Sequence, residues 1–284
     1  MRLSALFVTL IICLFSQISL AYIPPTKMIL QRVAENSGSG TYTIEQEVQL
    51  SVGLEPIYLK ETWVVENERN MRLTVTGTKD LKDLVKLQFV YTGGQKWRLR
   101  DGRREASKIP EEFTERYFHI RSTENLIAYL QQLKILPSLS GRKSVPKKGE
   151  DFKYESEPFV RLGRSEGTIS YAFGSPTPPD QKELNPGLWV EQDQFLIRKI
   201  RFPTQAEVTA ENFAPFARGL NFPKLRTIQW NQNTVYVRLL NVAGKSAAGP
   251  QAFQAASLEV PYTVKNLPNA SAQTLIEEFY SRFR

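Results

Sequence analysis

The sequence predicts an α+β protein in which an antiparallel meander is covered by helices. Three observations carry this: apolar residues alternate with period two in successive short runs, the connections between those runs are short and polar, and two stretches of helical periodicity follow directly.

The chain opens on a segment that stands outside this fold. Arg2 gives a positive start, residues 3–15 form an uncharged apolar run, and residues 16–21 end in the small-x-small triplet Ser19-Leu20-Ala21. This is the pattern of a cleaved secretory signal peptide over residues 1–21, leaving Tyr22 first. As an uncleaved anchor the run is shorter than the ~20 residues a helix needs to cross a bilayer. A lipidation box at Leu10-Ile11-Ile12-Cys13 is disfavoured by bulky Ile12 and by the place of Cys13 inside the apolar run. Cys13 is the only cysteine and departs with the signal, so the remaining 263 residues can form no disulfide or zinc-thiolate site and depend on their core. The formal charge of +8 falls to +7 without Arg2. That excess favours anionic partners such as lipid headgroups through long-range attraction, and equally serves solubility. No nucleic acid partner is expected, because no recognition motif is present.

Residues 27–36 carry Met28, Ile29 and Val33 at helical spacing, and Ser37-Gly38-Ser39-Gly40 ends that helix. Residues 41–52 then alternate, with Tyr42, Ile44, Val48, Leu50 and Val52 on one side. Further strands are predicted at 57–66, 70–78, 84–92 and 95–100. Their same-parity sets are Leu59, Trp63 and Val65; Met71, Leu73 and Val75; Val85, Leu87, Phe89 and Tyr91; Trp97 and Leu99. Such faces require a cover. Residues 110–120 and 123–135 read as the helices that supply it; the second starts at Ser122 or Thr123, carries Leu126, Ile127, Leu130 and Leu133 on one side, and stops at Pro137. A basic stretch at 138–153 reads as an exposed loop. Strands resume at 159–162, 168–173, 188–191 and 195–202, with more at 206–209, 225–230 and 234–242 and a weak one at 260–264. Residues 243–256 read as a mobile insertion and 271–283 as a terminal helix.

The catalytic inventory is thin. His119 is the only histidine, which excludes two-histidine metal sites, and its neighbours Phe118 and Ile120 favour a packing or capping role. Gly163-Arg164-Ser165-Glu166-Gly167 spells G-x-S-x-G, but a strand follows it where a nucleophile elbow needs a helix, so a hairpin is expected. The carboxylate pairs Glu45/Glu47, Glu111/Glu112 and Glu277/Glu278 fall on predicted solvent-facing positions. No cofactor and no metal is expected, and no catalytic residue is assigned. What stands out is apolar: Trp63, Met71, Leu73, Phe89, Tyr91 and Trp97 on strand faces, opposite Phe113, Phe118, Leu126 and Leu130. These residues either fill an ordinary core or line a cavity, and burial of an acyl chain there would contribute ~0.8 kcal/mol per CH₂.

The order of elements and the local wording resemble the periplasmic lipoprotein-localisation carriers of the LolA/LolB type. The resemblance rests on Met28-Ile29-Leu30-Gln31-Arg32-Val33 with Gly40-Thr41-Tyr42-Thr43-Ile44, on Glu61-Thr62-Trp63-Val64 before Met71-Arg72-Leu73, and on the late hairpin over residues 188–200. It covers residues 26–202. It implies a curved antiparallel sheet, an incomplete β-barrel, closed by a helical lid over a hydrophobic cavity, and it implies binding and transfer without covalent chemistry. The ten apolar residues just named would line that cavity, and Arg69, placed before the third strand, would hold the lid; Arg72 is the competing match.

The expectation is therefore a periplasmic carrier of acylated lipoprotein or lipid, with a half-barrel domain over 22–203 and an extension over 204–284 that adds strands and a terminal helix to the same domain. The alternatives are an envelope interaction or stress-sensing module with a fully packed core and, in lesser degree, an outer-membrane barrel, disfavoured by the helix at 122–135 and the final Arg284, or an unrecognised hydrolase.

Overall fold

A computed structural model describes residues 23–52, 55–138, 157–244, 246, 248–265, 267 and 269–284. The predicted signal peptide, nearly all of the basic stretch at 138–153, and residues 245 and 247 of the insertion lie outside the described residues.

Helix α1 (Thr26–Glu35) comes first and buries Ile29, Leu30 and Val33, while Met28 stays exposed. The turn after the helix passes through Gly38, whose φ is +63° and whose Cβ would lie 2.3 Å from the Tyr42 hydroxyl and 2.8 Å from the Leu220 amide nitrogen, so it needs glycine on both counts. A meander follows: β1 (Tyr42–Val52), β2 (Glu55–Val65), β3 (Met71–Gly77), β4 (Val85–Thr92), β5 (Gln95–Arg100) and β6 (Arg103–Lys108). After α2 (Thr123–Gln132) a second meander runs through β7 (Val160–Ser165), β8 (Thr168–Phe173), β9 (Gly187–Glu191), β10 (Ile197–Arg201), β11 (Glu207–Pro215), β12 (Asn221–Trp230) and β13 (Asn233–Ala243). Pairing of β1 with β13 fuses the two into one antiparallel sheet, ordered β6-β5-β4-β3-β2-β1-β13-β12-β11-β10-β9-β8-β7. The path does not close on itself, so the sheet is a curved, incomplete barrel. A register shift between Glu45 and Gln46 against β13 is one source of its curvature. Strands from the last third of the chain, β11 to β13, thus occupy the middle of the sheet.

Period-two burial defines an inner face, as in the strictly alternating β3, where Met71, Leu73 and Val75 are buried. The chain after β13 covers both faces in turn. On the outer face Arg72 donates to the Ser257 hydroxyl (2.7 Å) and Arg104 to the Ala255 carbonyl (2.9 Å), which seats residues 250–258 against β3, β4 and β6. The chain then crosses the sheet beside β4, adding the short strand β14 (Thr263–Val264), and enters the concavity as α3 (Ala270–Arg282), capped by Asn269. Apart from residues 245 and 247, the stretch expected to be a mobile insertion forms the end of β13 and short turns that pack on the sheet.

One expectation about local structure needs correction, and one strand has no apolar pattern to announce it. Residues 110–120 are not a helix; a single 3₁₀ turn, Glu115–Phe118, lies within a buried segment whose Thr114 amide donates to the Phe283 carbonyl at 3.3 Å. Tertiary contact with the end of the chain replaces helical hydrogen bonding there. The β6 strand was not anticipated, because all six of its residues are exposed and mostly charged, the composition of a protected sheet edge.

Candidate ligand-binding site

The predicted inner residues converge. Trp63, Met71, Leu73, Phe89, Tyr91, Phe113, Leu126 and Leu130 are all at most 1% exposed and Phe118 is 6% exposed, in one apolar cluster. Tyr91 stacks on Phe113 with centroids 4.5 Å apart, and Trp63 lies 5.7 Å from Tyr91. Trp97 does not join them. The Gly93-Gly94 turn, with φ of +59° and +76°, pairs Thr92 with Gln95 and therefore Tyr91 with Lys96 and Val90 with Trp97. Trp97 is carried to the outer face and is partly exposed, while Lys96 points inward and is buried.

The space between the meander and its cover is occupied by α3 and the two residues after it. Ile276, Phe279, Tyr280 and Phe283 are at most 1% exposed. Tyr280 stacks on Phe89 at 6.3 Å, and Trp230 meets Phe283 at 4.8 Å.

Charged side chains hold this segment in place. The fully buried Arg284 donates to Glu61 Oε1 (3.0 Å) and to the Thr114 hydroxyl (2.7 Å). Lys96 Nζ donates to the carbonyl of Tyr280 and, at 2.5 Å, to that of Arg284. Arg282 pairs with Glu112 and Glu278, both at 2.8 Å, and Trp230 Nε1 donates to Glu278 at 2.7 Å. Beside this lies a second buried pair, Arg226 to Glu115 at 2.8 Å, braced by Gln46. Burial opposes the charge on Glu115, but Arg226, the His119 hydrogen bond and Arg284 outweigh it and hold the carboxyl well below the ordinary glutamate value. Burial pushes the Lys96 ammonium down to about 7, reinforced by Arg98 and Arg284.

His119 is fully enclosed, stacks on Phe222 at 5.2 Å and touches Glu115 at 3.2 Å; burial lowers its pKa and favours the neutral ring, the packing role expected of it. Ser165 pairs with Thr168 across a Glu166-Gly167 turn, so the G-x-S-x-G stretch is a hairpin. Glu45 and Glu47 lie on the outer face, with Lys60 and Arg238 as partners. Glu112 and Glu278, by contrast, serve the α3 contacts and are not solvated surface groups. Among the described residues no group of three or more His, Cys, Asp or Glu could hold a metal ion.

Sequence reasoning missed Gln46, Glu61, Arg226 and Glu115. The first three interrupt apolar alternation on β1, β2 and β12 at inner parity, and Gln46 faces Glu61 across the β1–β2 pair. That interruption was the available signal.

At the rim, Arg69 Nη2 donates to Asn125 Oδ1 (2.7 Å) at the start of α2, and Asn125 Nδ2 donates to Glu68 (2.7 Å). These residues, with Asn67, Asn70, Gly93, Arg121 and Ser122, line an open polar cleft of about 440 Å³. Arg72 points to the outer face, as alternation requires.

An open antiparallel sheet curled around an apolar, helix-filled concavity is a half-barrel architecture. The same fold recurs in solved structures of low sequence identity. A LolA superfamily protein from Nitrosomonas europaea superposes with a TM-score of 0.50 at 9% identity, covering 81% of this chain and 98% of that one. A DUF1329 family protein from Desulfovibrio piger superposes at 0.51 with 8% identity, covering 82% and 97%. No protein-family model and no curated protein matches the sequence. No helix among the described residues is long and apolar enough to cross a membrane.

Proposed function

We propose that the protein is a non-catalytic periplasmic carrier that binds the acyl chains of a lipid or lipoprotein on the inner face of its sheet. The observation that carries this reading is the cover of that face. The apolar residues of β1 to β4 meet short helices and turns rather than a second sheet, and such covers can shift without breaking strand pairing. Trp63, Met71, Leu73, Phe89 and Tyr91 form the floor, and Phe113, Phe118, Leu126 and Leu130 belong to the cover. Arg69 acts as the lid contact through Asn125. Export by cleavage after Ala21 fits this role, as does a positive charge that draws the chain to anionic headgroups. The half-barrel over 22–203 and the extension over 204–284 act as one body in this reading, since β11 to β13 supply the middle of the sheet.

The close filling of the concavity by α3 favours a second reading, an envelope interaction or stress-sensing module that works with a packed core. Mass spectrometry of the protein isolated from the periplasm separates the two. Co-purified lipid or acylated peptide supports the carrier; protein that is reproducibly empty and has no affinity for acyl ligands supports the module.

A further inference from the structure

The groups beneath α3 specify the kind of occupant the inner face accepts, an inference that rests on the carrier reading. The segment from α3 to Arg284 offers that face an apolar body in Ile276, Phe279 and Phe283, oxygen acceptors in the carbonyls of Tyr280 and Arg284, and a cation in the Arg284 side chain. Each has a dedicated partner on the sheet. Lys96 meets the acceptors and Glu61 meets the cation, while Trp63 Nε1 adds a neutral donor to Glu61 at 3.0 Å. Glu115 keeps its own partner, Arg226, whether or not Arg284 is present. Glu112 loses Arg282 but keeps the Thr204 hydroxyl; departure of the segment therefore leaves Glu61 and Lys96, groups of opposite sign, facing the vacated apolar space.

We propose that the inner face exchanges its own C-terminal segment for a zwitterionic amphiphile of the phosphatidylethanolamine class. The lipid ammonium takes the place of the Arg284 guanidinium at Glu61, and its phosphate or ester oxygens take the place of the carbonyls at Lys96. The acyl chains lie against Phe89 and Trp230, where Tyr280, Phe279 and Phe283 now lie, and against Trp63, over which the Arg284 guanidinium now sits. An anionic lipid satisfies Lys96 but leaves the Glu61 carboxylate buried without a counter-charge, which is strongly unfavourable. A cationic amphiphile without oxygen acceptors fails at Lys96 for the converse reason.

The test uses the full chain with dioctanoyl phosphatidylethanolamine and dioctanoyl phosphatidylglycerol, read by native mass spectrometry and by hydrogen exchange. The ethanolamine lipid is expected to bind at least about fivefold more tightly, and E61Q to bring the ratio to about one. On binding, the amides of α3 lose protection while those of β9 keep theirs. The wild-type comparison stands even if E61Q folds poorly. Equal binding of the two lipids, a preference that survives E61Q, or an α3 that stays protected with lipid bound overturns the exchange while leaving the carrier reading intact. Failure of both lipids to bind, to the wild type and also to F279A/F283A with its weakened segment, overturns both.

Discussion

The sheet encloses two interiors of different character. Under β7 to β10 the buried residues of the inner face, Tyr171, Phe173, Leu188, Val190, Ile197 and Ile200, carry no charge. Under β1 to β5 and β12 the inner face buries Glu61, Lys96 and Arg226 together with Gln46, and is completed by Glu115 and by a segment arriving from the end of the chain. The first region is a core made by its own strands. The second is a core completed by a distant segment of the chain, and charge fixes which groups meet there, because apolar contact alone selects weakly. A structural core gains nothing from such an arrangement, since a buried ion pair is often no more stabilising than apolar residues of the same volume. On the proposed carrier reading, the charged region is the one that selects an occupant and the apolar region the one that holds the sheet together.

The largest expected effect comes from breaking the charged region where it does not depend on α3. Arg226→Ala removes the close counter-charge of buried Glu115, leaving Arg284 at 3.9 Å and the Gln46 and His119 hydrogen bonds, and should cost about 3–5 kcal/mol in chemical denaturation. A loss below about 1 kcal/mol would mean that water already reaches the cluster.

Phe279→Ala and Phe173→Ala sharpen the contrast, because each empties a fully buried aromatic site and should cost about 3–5 kcal/mol. Only Phe279→Ala should also raise affinity for acyl ligands, as it weakens the segment that competes for the face. Equal affinity in the two variants would dissolve the distinction between the regions.

The pH dependence of stability belongs to the charged region as well. Glu115 is held below its ordinary value of 4.5, so its contribution is complete above that pH and is lost as pH falls below it. Lys96 is pushed down to about 7 from 10.5, so the unfolded chain binds more protons across that window and stability rises with pH between those values. Denaturation of wild type against Lys96→Met at pH 6 to 10 isolates the second limb: the slope should shrink in the variant.

Arg69→Ala should have the smallest effect on stability, about 0.5–1 kcal/mol, since it removes one exposed hydrogen bond to Asn125. Its signature is kinetic, a faster exchange of α2 amides and faster ligand uptake with little change in denaturation midpoint.

Much of the fold was legible because alternation, turns and caps act locally: β1 to β5, Ser122 as the cap of α2 and the terminal helix all follow from such signals. The inward turn of Lys96 was legible too, since a two-residue Gly93-Gly94 turn dictates which parity of β5 faces Tyr91, and that parity puts Trp97 on the outer face, against the expectation. The pairing of β1 with β13 and the insertion of α3 were not legible, because contacts as distant as Glu61 with Arg284 leave no local pattern. The site was half legible. Its apolar wall followed from period two, while its charged floor registered only as gaps at Gln46, Glu61 and Arg226 whose partners lie far along the chain.

The central claim, that acyl chains occupy the inner face beneath α3, is tested most directly by fluorescence quenching with lipids brominated along their acyl chains. In a W97F/W189F background the remaining Trp63 and Trp230 are at most 2% exposed and flank the proposed chains. Binding of brominated lipid should quench that emission strongly, while the unbrominated lipid leaves it bright. Emission that persists with brominated lipid demonstrably bound would place the acyl chains elsewhere and contradict the account.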